Sequence, residues 1–324
     1  MTKQIRAAVI GTGGISGAHL NFLKSRKDAE IVALCDVNAE NLERRQKEYG
    51  GQAFADFEQM LDETKPDAVW LCTPPQVRRE PILACARRRI PVFCEKPVGR
   101  DAAYTARVAA EFRRARAIVQ VGYVFRSIPA VKRLRELMAD DQVYAVQSFY
   151  GCSMSVARSS RAWFYVKELS GGALIDQATH NLDLLRCLFG EVKDVRGLSA
   201  NPRQRKTPGY TIEEVIGVTL RFANGMIGSH LHTWLGDRWR NEIFISGVKR
   251  GYRLNLNQGV ITVEEGAETR AIQQPAGPIH NYQNELFLDM VRSGDWSANP
   301  SAFDDALKSL RLTLACDEAA TKAL

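Results

Sequence analysis

Short apolar runs alternate with helical segments through the first 122 residues of this 324-residue chain, and no other feature restricts its fold as tightly. The runs are 5–10, 30–35, 67–72, 91–94 and 117–122. Helices are predicted between them over about 15–25, from Ala39 to Gly50-Gly51, over about 76–89 and from Ala102 to near Arg114, with Asn38 and Asp101 as caps. One helix between successive strands forces parallel pairing, because each return crossover needs a helix. Residues 1–122 therefore read as an α/β unit, a doubly wound parallel sheet.

From Tyr123 the rhythm changes. A helix over 130–138 and a strand over 143–150 precede an irregular stretch containing Trp163, Phe164 and Tyr165. Gly171-Gly172 opens a helix over about 173–189, and Gly190 stops it. Strands over 212–222 and 226–235 flank Asn224-Gly225, a hairpin signal. Further strands are expected at 242–246, 252–256, 260–264 and 269–273, and helices over about 281–292 and 303–323 close the chain. This pattern predicts a second, α+β domain over 123–324, with a mostly antiparallel sheet. Length agrees, since single cores stop growing at roughly 250–300 residues.

Several classes are set aside. No apolar run reaches the roughly 18–20 residues of a membrane helix, and the residues before the first strand are not expected to act as a secretory leader. The seven cysteines contain no C-x-x-C pair, which fits reduced thiols and a cytoplasmic setting, without zinc spacing. The net charge of +7 raises the question of nucleic acid. Yet Arg87-Arg88-Arg89 and Arg113, Arg114 and Arg116 fall near predicted helix C-termini, where the dipole favours cations by ~0.3–1 kcal/mol each. Without an aromatic-interleaved basic stripe, neither a nucleic-acid nor a membrane partner is expected. Arg78, Arg126, Arg203 and Arg205 keep an anionic small molecule open as substrate.

Gly11-x-Gly13-x-x-Ser16 sits between a strand and a helix. Gly11 permits the tight turn, and Gly13 lets backbone approach a pyrophosphate at the helix N-terminus. Gly14 and Ile15 lie in the same turn. Asp36 ends the second strand, where a carboxylate accepts ribose hydroxyls and repels a 2′-phosphate, favouring NAD over NADP. A structural turn beside a surface Asp is the alternative.

Lys96 follows the strand at 91–94, and ligands of open α/β sheets bind at carboxyl strand ends. A surface lysine paired with Glu95 is the competing reading. Asp176, His180 and Asp183 share a face at i, i+4 and i+7, opposite a core stripe of Leu174, Ala178, Leu182, Leu185 and Phe189. A carboxylate beside an imidazole fixes its tautomer and suits it to general-base work. A solvated amphipathic face is the plain alternative. No third strong ligand at metal spacing accompanies them, so no metal site is expected.

Together these segments resemble the glucose–fructose oxidoreductase / inositol dehydrogenase (Gfo/Idh/MocA) family. The likeness rests on Gly11 to His19, Cys35-Asp36, Thr73-Pro74-Pro75, Glu95-Lys96-Pro97, Gly122 to Arg126, Gly171-Gly172 with Asp176, His180 and Asp183, and the Gly225 hairpin. It implies a Rossmann domain followed by an α+β substrate domain, and an NAD-dependent dehydrogenase acting on CH–OH groups of a sugar, inositol or related polyol. By that resemblance Lys96, Asp176 and His180 are catalytic. Gly11, Gly13, Asp36, Thr73, Pro74 and Glu95 contact cofactor, with Lys96 beside them. Substrate candidates are Lys96, Asp176, His180, Arg126, Trp163 and Tyr165, followed by Asp183, His232 and Tyr282. His232 shares a strand face with His230 and Trp234 that could equally lie at a dimer interface. The resemblance also implies a homodimer or homotetramer formed through the open sheet face. Two departures stand out: Ser16 at the third fingerprint position, and Arg78 where many members carry His. The rival readings are a redox-assisted, NAD-dependent glycosidase or lyase of the same family and a non-catalytic dinucleotide-binding sensor.

Overall fold

The computed structural model describes residues 4–153, 165–203 and 209–321. They form two compact units, Met1–Val124 with Pro278–Leu307, and Phe125–Gly277 with Lys308–Leu324.

The first unit is built on β1 (Ile5–Ile10), β2 (Ala29–Cys35), β3 (Gln52–Phe54), β4 (Ala68–Leu71), β5 (Val92–Cys94) and β6 (Val119–Val121). Between them run α1 (Ser16–Lys24), α2 (Ala39–Tyr49), α3 (Phe57–Thr64), α4 (Arg79–Arg87) and α5 (Ala102–Arg114). All six strands pair in parallel, in the order β3-β2-β1-β4-β5-β6, the doubly wound sheet expected from the alternation. Asn38 and Asp101 cap α2 and α5 through their side chains. β3 and α3 escaped the sequence reading. β3 is a three-residue edge strand whose Gln52 and Ala53 are exposed, so it carries no apolar run to detect.

The second unit contains α6 (Pro129–Met138), β7 (Val143–Ser153), α7 (Lys167–Ser170), α8 (Thr179–Phe189), β8 (Val192–Ala200), β9 (Val215–Phe222), β10 (Ile227–Thr233), β11 (Leu235–Gly247), β12 (Gly251–Asn255), β13 (Val260–Glu265) and β14 (Glu268–Gln273). Its eight-stranded sheet runs β14-β13-β12-β11-β7-β10-β9-β8. β10 pairs in parallel with β7, and the other pairings are antiparallel. The expected stripe from Leu174 to Phe189 is buried throughout. Asn181 on α8 meets Ser148 and Asn241 of the sheet. The opposite face leaves Leu198 68%, Leu231 42% and Phe244 41% exposed. β8, a charged edge strand, was not anticipated.

Two further helices follow, α9 (Ile279–Ser293) and α10 (Phe303–Thr321). They correct the assignment of all of 123–324 to a second domain, because 278–307 belongs to the first unit. α9 buries Phe287, Leu288 and Met290 in a cluster with Leu23, Trp70 and Phe93. Phe287 meets Trp70 edge-to-face at 5.1 Å. Beyond α9, the Val121 N–H donates to the Ser301 carbonyl at 2.8 Å, lengthening the β6 edge. An amphipathic pattern shows that one helix face is covered, but not which sheet covers it.

Candidate active site

In the first unit the cofactor candidates gather at the carboxyl ends of β1, β2, β4 and β5. Gly11 has φ +90°, and a Cβ there would lie 2.8 Å from the Cys72 carbonyl carbon and 2.9 Å from the Thr73 nitrogen. Only glycine meets both conditions. A Cβ on Gly13 would meet nothing within 4 Å, so the space above this backbone is open. Gly14 and Ile15 are exposed just before α1. Ser16 is fully buried, and its hydroxyl donates to the Gly13 carbonyl at 2.6 Å. The unusual third fingerprint residue therefore ties the turn together.

Asp36 accepts the Thr12 N–H at 2.6 Å and the Thr12 hydroxyl at 2.7 Å on one oxygen, and the Asn38 N–H at 2.9 Å on the other. The oxygen that accepts Asn38 keeps a lone pair for a ribose hydroxyl, whereas Thr12 fills the other. The Thr73 hydroxyl is buried without a protein partner, and exposed Pro74 follows it.

Arg78 is the side chain whose role the sequence reading misplaced. It is 4% exposed. Its guanidinium donates to the Thr73 carbonyl at 2.9 and 2.6 Å, to the Pro97 carbonyl at 2.6 Å, and to the Glu95 carbonyl. It is thereby withdrawn from the set of cations open to an anionic substrate. Instead it joins the segment after β4 to Glu95-Lys96-Pro97, whose Lys96–Pro97 bond is cis. Lys96 itself is half-buried.

Glu95 turns into the core rather than pairing at a surface. Its Oε1 lies 2.9 Å from His19 Nε2, and its Oε2 accepts the Lys96 N–H at 3.2 Å. Burial alone would raise its pKa. The His19 hydrogen bond and charge, with Lys96 and His280 nearby, outweigh burial and hold it at about 2. Sequence reasoning quoted His19 only as part of a motif and gave it no role. Its signal was a histidine on the core-facing side of α1.

In the second unit the helix expected over 173–189 opens with a π-helical turn over Leu174–Ala178 and becomes α8 at Thr179. The assumed α-helical register at Asp176 is thus replaced by a wider turn, a feature that recurs at functional sites. Asp176 and His180 are both half-buried there. The His180 ring lies 5.4 Å from that of Phe125.

Asp183 does not join them on an open face. It is fully buried, accepting both Arg126 Nε–H, at 2.7 Å, and Arg126 Nη2–H, and also the Ser309 hydroxyl. This removes Asp183 and Arg126 from the substrate candidates, because the guanidinium is neutralised within the core. Tyr165 is 4% exposed and stacks on Tyr210 at 5.5 Å, so packing accounts for it. Tyr282 is half-buried on α9. Trp163 and Arg205 lie outside the described residues.

His230 and His232 point to the helix-covered face of β10, not to the open one, which corrects the dimer-interface reading. His230 Nδ1 lies 3.0 Å from the Ser148 hydroxyl, whereas neither ring nitrogen of His232 has a hydrogen-bond partner among the described residues. Burial lowers His230 to about 3 and His232 well below the usual histidine range. Both are therefore neutral when folded but take up protons when unfolded below pH ~6.5. Their stabilisation is complete above that value and is lost as pH falls. His230 is expected to cost about 2 kcal/mol of stability between pH 7 and 5, and His232 acts in the same direction. Urea midpoints at the two pH values check this, and His232→Leu should reduce the loss.

Residues 5–123 match the family described as "Oxidoreductase family, NAD-binding Rossmann fold". Residues 131–253 match the Gfo/Idh/MocA C-terminal domain. The chain belongs to the Gfo/Idh/MocA family. It is an NAD-binding oxidoreductase, and its open Gly13 backbone, the buried Thr73 hydroxyl without a partner among the described residues and the spare Asp36 lone pair fit that cofactor. Among relatives of this Gfo/Idh/MocA chain, a myo-inositol 2-dehydrogenase of Thermotoga maritima is 28% identical over 69% of the chain and 67% of the relative. An inositol 2-dehydrogenase of Mycolicibacterium gilvum is 25% identical over 93% and 86%. The fold matches levoglucosan dehydrogenase, solved with NADH and levoglucosan, at a TM-score of 0.85 and 20% identity over 99% and 98% of the two chains. Among the described residues no helix is long and apolar enough to cross a membrane.

Proposed function

We propose that this enzyme transfers a hydride between a secondary alcohol of a sugar, inositol or related polyol and NAD. The observation that carries this reading is the imidazole of His180 at the start of α8, directly after the widened turn that bears the carboxylate of Asp176, in a family whose relatives include inositol dehydrogenases. When bound, NAD supplies the hydride acceptor. His180 takes the hydroxyl proton as general base. Asp176 orients the imidazole and favours its protonated form once the proton has moved. Lys96 donates a hydrogen bond to the substrate oxygen and stabilises the negative charge developing there. Gly11, Gly13, Gly14, Ile15, Asp36, Thr73 and Pro74 shape the cofactor site around the turn. The apolar side chains left on the open sheet face, Leu198, Leu231 and Phe244, support a homo-oligomer formed through that face.

The test is a screen for NAD reduction over inositols, sugars, sugar acids and glycosides. NADH accumulating with a free polyol or sugar is the expected result. Cleavage of an aryl glycoside without net NADH would replace this reading with the redox-assisted glycosidase. Tight NAD binding without turnover of any member would replace it with the sensor.

A further inference from the structure

Beneath the Glu95-Lys96-Pro97 segment lies a buried polar chain that the chemistry above does not use. His19 on α1 is 0% exposed, with Nε2 at 2.9 Å from Glu95 Oε1 and Nδ1 at 2.9 Å from Asn284 Oδ1. Trp70 Nε1 also reaches Asn284 Oδ1 at 2.9 Å. An indole nitrogen only donates, so the Asn284 side chain must present its oxygen here. An amide oxygen only accepts, so His19 Nδ1 must carry a proton. On the other side of the ring, an ionised Glu95 carboxylate also only accepts, and it takes the Lys96 N–H on its second oxygen. Each link thus has one allowed direction: Trp70 Nε1 and His19 Nδ1 donate to Asn284, and His19 Nε2 and the Lys96 N–H donate to the Glu95 carboxylate.

The surroundings leave this chain little freedom. A Cβ on Gly122 would lie 3.0 Å from Glu95 Oε1, so a side chain there would crowd the carboxylate. The His19 ring is bracketed by Phe93 at 4.9 Å and His280 at 6.2 Å. Asn284 reaches the site from α9, the helix that the first unit takes from late in the sequence.

We infer that His19 is a positioning residue for Lys96: oriented by Asn284, it holds the Glu95 carboxylate, and Glu95 holds the backbone from which Lys96 projects. This rests on the reading of Lys96 as the group facing the substrate oxygen. Displacing a catalytic group by about 1 Å costs roughly a hundredfold in rate, so a loosened anchor is felt in turnover before it is felt in cofactor binding.

The experiment compares His19→Gln, Glu95→Gln and Asn284→Leu in the full chain, with Asn284→Asp as the conservative partner because it keeps an acceptor oxygen. NAD affinity is measured by protein fluorescence, and kcat and KM with a substrate found in the screen. The first three variants should lose about tenfold to a hundredfold in kcat, while NAD affinity in His19→Gln and Asn284→Leu stays within about threefold. The double variant His19→Gln/Glu95→Gln should lose no more than either single one, since both break the same chain. Asn284→Asp should keep most of kcat. Nitrogen NMR of His19 in the wild type should show Nδ1 protonated. If His19→Gln does not fold, Asn284→Leu and the NMR signal decide. An unprotonated Nδ1, additive losses, or unchanged kcat in a folded variant would overturn the inference. If Lys96→Met also left kcat unchanged, the role given to Lys96 itself would fall instead, which separates the two failures.

Discussion

Replacing His180 by alanine is expected to lower kcat by about a hundredfold to ten-thousandfold, the span for loss of a positioned general base. NAD affinity should stay nearly constant, because a general base acts on the substrate hydroxyl. Lys96→Met should cost about a hundredfold to a thousandfold, as loss of one donor to a developing oxyanion does. Its methionine keeps the length of the side chain while removing the charge. The measurement is steady-state turnover on the substrate found in the screen, with NAD binding followed separately by fluorescence. Undiminished turnover in His180→Ala would remove the proposed base.

The second large effect is expected at Arg78. Arg78→Ala should cost about 3 kcal/mol, because at least three buried carbonyl contacts lose their donor at roughly 1 kcal/mol each. Arg78→Lys should recover less than half of this, since an ammonium is a point donor and cannot span carbonyls arranged around a planar guanidinium. Urea midpoints measure the stability change. Turnover should fall alongside it, because the guanidinium joins the backbone flanking Lys96 to that of Thr73. A variant as stable as the wild type would show that the carbonyls find other donors. Arg78 also shows how a departure from a family pattern is misread in one dimension. An arginine after Thr-Pro-Pro suggested altered ligand contacts, whereas the folded chain turns it inward onto backbone.

Arg126 and Asp183 carry the same lesson. They lie 57 residues apart in the chain and pair in the core. Helical spacing placed Asp176, His180 and Asp183 on one face. It could not foresee the widened turn over Leu174–Ala178 or the inward fate of Asp183, because both depend on what packs against the helix. The two histidines of β10 were read as sharing a face, and they do. Which face it was depended on the helix laid over the sheet.

The parallel sheet, the glycine turn with its acidic partner and the hairpin at Gly225 were determined by the sequence itself, because each follows from local sterics, capping or hydrophobic period. Gly11 must be glycine for reasons contained within a few residues of backbone and the strand beside it. Only the tertiary structure decided that α9 completes the first unit, that Arg78 and Arg126 are structural cations, and that His19 meets Glu95. These outcomes rest on pairings between residues far apart in the chain. Pattern reports that a side chain needs a partner, and packing alone selects which one it meets.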